Sequence, residues 1–146
     1  MAKKRSSGGC VVSPTRAVFD TNVLVRFFVD EAADAGAWMD GVAAGRVHVH
    51  VPDLIYAESA SALLRYVRAG KLALDRVLAV LATIIELPFE PTPSQLLAVP
   101  ACALAVRHGI TAYDAHYLAL AEAEDVVLVT ADRRLAAAAS RSILLD

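Results

Sequence analysis

The stretch "TAYDAHYLALAEAEDVVLVTAD", residues 111–132, decides the fold. Its first half predicts a helix opened by Thr111 and running to about Ala123. On that helix Asp114 shares a face with Leu118 and Ala121, at i+4 and i+7. Its second half, Val126–Thr130, is a β-branched run that reads as a strand, and Asp132 stands just beyond its end.

Working outward, the same alternation recurs. "RAVFD" (16–20) reads as a buried strand, followed by helical sequence over 22–45 interrupted near 29–31. "VHVHV" (47–51) alternates and predicts a strand that Pro52 ends, with Asp53 as N-cap of a helix to about Ala69. Gly70 stops that helix and another spans about Leu74–Ala82. "TIIELPF" (83–89) reads as a third strand and "PTP" (91–93) as a turn. Ser94 caps a helix that ends near His108 and Gly109. After Asp132 come a short helix and a last strand around "SILL" (142–145). Strands alternating with helices imply right-handed βαβ units, hence an α/β fold with a mostly parallel central sheet. In such sheets, function gathers beyond the carboxyl ends of the strands.

The 146 residues suit one domain, expected over 16–146 behind a loose basic tail at 1–15. Hydrophobic residues make up 57%, above the usual share of about 45–50%, and alanine supplies much of the excess. The net charge is −2; without the tail cations Lys3, Lys4 and Arg5 the remainder carries −5. A core this acidic is not a general nucleic-acid sponge; if it handles nucleic acid, something must offset the repulsion of phosphates. Cys10 and Cys102 form no framework, which suits a reducing cytosol. The longest apolar run, "VLAVLATII" (77–85), is about half a membrane span. The expected location is cytoplasmic, with no membrane partner.

Four acids stand out, each with a plain alternative. Asp20 ends the first strand inside a core-like stretch, where an unpaired carboxylate is costly, yet it can cap the following helix. Asp132 can cap likewise. Glu58 can be a surface residue, although its i+3 and i+4 neighbours, Ser61 and Ala62, provide no basic partner. Asp114 fits a capping box with Thr111, but it also heads an apolar stripe that points inward. A doubly wound fold can bring all four to one rim. Oxygen donors alone select a hard cation such as Mg²⁺ or Mn²⁺, which can activate water and stabilise a phosphodiester under attack.

Residues 16–146 resemble the PIN-domain ribonucleases, especially VapC-type toxins. The likeness rests on "VFDTNVLV" (18–25), an acid within "PDLIYAESASALLR" (52–65), and the 111–132 stretch itself. It implies a three-layer α/β/α fold and an acidic quartet at Asp20, Glu58, Asp114 and Asp132. Asp20 and Asp114 would be the most direct metal ligands, and Asn22 and Thr130 accessory polar residues. It further implies Mg²⁺- or Mn²⁺-dependent cleavage of RNA, a homodimer, and a cognate antitoxin protein that covers the acidic groove.

Two rivals belong to other classes. A phosphatase with Asp20 as nucleophile wants an aspartate at 22, where this chain has Asn22, and a late lysine; beyond the tail the only lysine is Lys71. A non-catalytic RNA- or protein-binding module would not need all four acids. His48 and His50 share a strand face without a third zinc ligand nearby, and read as its polar face. His116 is turned away from Asp114. Arg65, Arg68 and Lys71, like Arg133 and Arg134, read as solvated; lining a groove, the first three could hold phosphates. Tyr113, Tyr117 and Trp38 read as packing residues.

Overall fold

A computed structural model describes residues 12–146. Residues 1–11, most of the expected tail, lie outside the described residues, and the first strand begins at Thr15. Five strands, β1 (Thr15–Phe19), β2 (Val47–Pro52), β3 (Glu90–Thr92), β4 (Val127–Thr130) and β5 (Ser142–Leu144), form one sheet in the order β3-β2-β1-β4-β5. Every pairing is parallel. Between them run α1 (Thr21–Phe28), α2 (Ala33–Ala43), α3 (Ile55–Arg68), α4 (Leu74–Glu86), α5 (Ala98–His108), α6 (Ala112–Glu124) and α7 (Arg133–Ala138).

The chain steps outward from β1 to β2 and β3, then returns to β4 and β5 on the other side. Right-handed crossovers therefore place α1–α4 on one face and α5–α7 on the other. The helix contacts follow that division: α1 with α2 and α3, α3 with α4, and α6 with α5 and α7. This is the expected three-layer α/β/α arrangement. The direction reverses between β1 and β4, so the topological switch point lies beside the carboxyl ends of these two strands.

The core is built where sequence period and sheet meet. Ala17, Val18 and Phe19 of β1 are fully buried, as are Leu128 and Val129 of β4, because a strand covered on both faces has no wet side. Phe19 makes edge-to-face contacts with Trp38 at 5.8 Å and Phe89 at 6.0 Å between ring centroids, so Trp38 is a packing residue as expected. Among the described residues no helix is long and apolar enough to cross a membrane.

Four local expectations are corrected. "TIIE" (83–86) is not strand: α4 continues through it, because Val77, Val80 and Ile84 bury one helical face at i, i+3 and i+7. The third strand is instead Glu90–Thr92, so two residues read as turn are strand, and Pro91 is tolerated because β3 is a sheet edge. Asp53 does not cap α3, whose N-cap Leu54 has no side-chain bond. Its Oδ1 accepts from the Ser94 backbone N–H at 2.9 Å, and its own N–H donates to the Thr92 carbonyl at 2.8 Å. Ser94 opens a short 3-10 turn, Ser94–Leu96, rather than α5 itself.

Candidate active site at the switch point

Asp20 is the first residue after β1 and is only 4% exposed. Its Oδ1 accepts the Asn22 backbone N–H at 2.9 Å, so it is indeed the N-cap of α1. Its Oδ2 accepts the Thr130 hydroxyl at 2.5 Å and the Asn22 side-chain amide at 3.3 Å. Capping and a further role are therefore compatible. Burial pushes the Asp20 pKa up to about 7 from its ordinary 3.8. The bonds from Thr130, Asn22 and Val23 oppose that rise, and the charge of Asp114 adds to it.

Thr130 ends β4 and is fully buried. While donating to Asp20, its oxygen accepts the Asp132 backbone N–H at 2.9 Å. One hydroxyl thus ties the two strand-end acids across the switch point. Asp132 in turn caps α7, its Oδ1 accepting from Arg134 at 2.8 Å and Leu135 at 3.1 Å.

Asp114 occupies the first turn of α6. The Thr111 side of the capping box forms, Thr111 Oγ1 accepting the Asp114 N–H at 3.1 Å. Burial raises the Asp114 pKa first and the charge of Asp132 second, whereas the Thr111 side chain beside the carboxyl and the charge of Arg134 lower it. Arg134 is therefore not merely solvated. Its guanidinium donates to the Gly109 carbonyl at 2.7 Å, and its charge reaches Asp114.

Glu58 lies on α3 and is half-buried. Its pKa is raised mainly by burial and further by Asp114; the Tyr117 bond and His116 lower it. His116, turned from Asp114 in the sequence reading, thus acts on Glu58, with Nδ1 2.6 Å from the Ala112 carbonyl. Tyr117 is the residue the sequence reading undervalued. It is 1% exposed, but its hydroxyl donates to Glu58 Oε1 at 2.7 Å and lies 2.9 Å from Thr21 Oγ1. Burial, and then the neighbouring charge of Glu58, raise its pKa. A signal existed: Tyr117 is the one hydroxyl among the buried alanines and leucines of α6, and a buried tyrosine oxygen usually finds a partner. Tyr113, also read as packing, is 66% exposed instead.

Asp114 is the common neighbour: its field reaches Asp20 and Glu58, and that of Asp132 reaches it. The acids are neighbours in field rather than in contact. Among the described residues no three His, Cys, Asp or Glu side chains stand close enough to grip one ion. The donor set nevertheless fits a hard divalent cation. It is all oxygen, and it sits where burial already disfavours negative charge. Mg²⁺ usually keeps several waters and takes only one or two carboxylates, so widely set acids do not exclude it. Zinc at His48 and His50 has no support. His50 is buried, not on a polar face, and its Nδ1 lies 3.5 Å from Glu90 of the edge strand.

The profile of the PIN-domain family matches residues 17–140. Ribonuclease VapC3 of Pyrobaculum aerophilum is 33% identical over 122 residues, covering 82% of this chain and 91% of that relative. Among solved structures, PAE2754 from Pyrobaculum aerophilum superposes with a TM-score of 0.64 at 25% identity, over 89% of this chain and 90% of the other. VapBC2 from Rickettsia felis, bound to a DNA fragment from its promoter, gives a TM-score of 0.66 at 12% identity, over 90% of this chain and 100% of the other. At that identity the second likeness bears on the fold alone.

Proposed function

The chain belongs to the PIN-domain family, and from that premise we propose that it is a metal-dependent endoribonuclease, the toxin of a toxin–antitoxin pair acting in the cytoplasm. The observation that carries this reading is the field-coupled set Asp20, Glu58, Asp114 and Asp132 at the switch point. The ribonuclease relative, VapC3, supports the chemistry, and the likeness of the 18–25 and 111–132 motifs to VapC-type toxins supports a cognate antitoxin. A homodimer is part of the same proposal.

Asp20 and Asp114 are the proposed principal ligands, with Glu58 and Asp132 completing the oxygen set. A bound Mg²⁺ or Mn²⁺ would supply water activation and charge stabilisation at the phosphodiester. The protein's own groups prepare the site. Thr130 and Asn22 fix the Asp20 carboxylate, and Tyr117 fixes Glu58. Arg134 offsets part of the charge that gathers at Asp114. Direct hydrolysis by water is the step we assign to this set.

The test is cleavage of a single-stranded RNA with Mg²⁺ or Mn²⁺, stopped by EDTA. Asp114→Asn should lower the rate by orders of magnitude without unfolding the protein. Undiminished cleavage by that variant, in a preparation free of other nucleases, would remove Asp114 from the site.

A further inference from the structure

Two hollows on the surface of α3 meet at Glu58 and Ser61. One is closed on its far side by Tyr113, with Leu54 and Ala57 between. The other runs past Ala62 to Arg65 and Arg68. Together they make one groove with an exposed aromatic ring at one end, an acid of the quartet in the middle and two guanidinium groups at the other. Arg65 and Arg68 follow Glu58 by two and three helical turns, so the basic arm extends about 15 Å along the helix.

Neither end has a structural task that explains it. Among the described residues, Arg65 and Arg68 take part in no ion pair; the four pairs present involve Arg16, Arg26, His50 and Arg141. Tyr113 is in none of the aromatic pairs, which join Phe19, Trp38, Phe89, Phe27 and Phe28. A large ring left 66% exposed beside Asp114 gains little from packing. Two exposed cations lining the same groove as an acid of the quartet give a polyanion a place to approach. Planar guanidinium groups match phosphate oxygens in a two-pronged way. An exposed ring offers a stacking surface to a base that is not already stacked and paired.

We propose that this groove is a track for single-stranded RNA, in which Tyr113 stacks one base beside the acids and Arg65 and Arg68 hold backbone phosphates further along α3. The inference rests on the ribonuclease reading and adds to it a polarity and a preference: the strand crosses the acids between a base-binding end and a phosphate-binding end, and unpaired nucleotides are selected. It also bears on how an acidic domain tolerates RNA, since two of its cations stand beside the acids on one helix.

The experiment measures binding of a fluorescein-labelled, mixed-sequence single-stranded RNA by anisotropy, in Asp114→Asn protein so that no cutting intervenes, across a salt series. Cleavage by the unmodified protein is followed in parallel. Arg65→Ala with Arg68→Ala should weaken binding about tenfold and flatten the salt slope by about 1.4, the value for two phosphates on a single strand. Tyr113→Ala should weaken binding roughly tenfold with the salt slope unchanged, and Tyr113→Trp should restore it. All these positions are exposed, so unchanged melting temperatures are expected and serve as the folding check. Unchanged affinity in both variants, with the unmodified protein still cutting RNA, overturns the track and leaves the ribonuclease reading standing. An unmodified protein that neither binds nor cuts RNA overturns both.

Discussion

Tyr117 donates its hydroxyl to Glu58 Oε1 at 2.7 Å and thereby links α6, which carries Asp114, to α3. The same oxygen lies 2.9 Å from Thr21 Oγ1, one residue past Asp20. Two helices that each carry an acid, and the start of a third that Asp20 caps, are thus pinned at one phenol.

Tyr117→Phe removes that pin while keeping the ring that fills the core. We expect metal-dependent cleavage to fall roughly 10- to 100-fold, the usual effect of losing a group that orients a ligand. Stability should fall by about 1 kcal/mol. The readout specific to positioning is weaker Mn²⁺ binding by calorimetry; equal affinity for Mn²⁺ would reduce Tyr117 to a packing residue.

Asp20 is expected to make the metal-free protein lose stability as pH rises. Its folded pKa is about 7 against 3.8 for the ordinary group. Between those values the folded state binds more protons than the unfolded one, so stability falls with pH through that window. Glu58 and Asp114 are raised as well and act in the same direction. The main cause at Asp20 is burial, with repulsion from Asp114 a smaller contribution. Asp20→Asn should therefore melt several degrees above the unmodified protein in EDTA at pH 7.5, and the gap should narrow at pH 5. A lower melting temperature for Asp20→Asn at pH 7.5 would mean that the capping role dominates.

Added Mn²⁺ should raise the melting temperature of the unmodified protein. A ligand confined to the folded state stabilises by about 2.7 kcal/mol at a hundred times its dissociation constant. Asp20→Asn should gain less from the same addition. Equal gains in the two proteins would place the ion elsewhere.

Thr130→Val leaves Asp20 Oδ2 with only the longer bond from the Asn22 amide, and the Asp132 N–H without its acceptor. A cost of about 2–6 kcal/mol is expected, from two buried polar groups at about 1–3 kcal/mol each. Because the Thr130 bond lowers the Asp20 pKa, the window of pH-dependent stability should also extend upward. Thr130→Ser, which keeps the hydroxyl, should recover most of both effects in thermal scans at pH 5 and 7.5.

What was legible in the sequence follows from range. The β1 and β4 strands and the helix before β4 could be read because burial on both faces, or a helical repeat, writes itself into neighbouring residues. "TIIE" could not, since β-branched residues were overruled by the helical face that Val77, Val80 and Ile84 bury. Asp53 misled for a related reason: its partner, Ser94, is 41 residues away. At the site, the strand-end acids were visible because a carboxylate in an apolar run is anomalous on its own. Tyr117 was not, because its meaning lies in Glu58, 59 residues distant, and a lone tyrosine in a buried helix looks like any other large core residue.

The burial of Asp20 also bears on how such a chain would change over generations. A carboxylate almost sealed from water, with its charge disfavoured at neutral pH, works against the stability of the fold that carries it. If Asp20→Asn stabilises the metal-free protein, drift in a lineage released from the need for cleavage would run downhill toward that variant. Folding alone would not restore the acid, because the hydrogen bond that caps α1 can be made by an amide oxygen as well. Loss of activity here would then resemble a ratchet: easy to enter by a single substitution, and held there by the sturdier molecule it leaves behind.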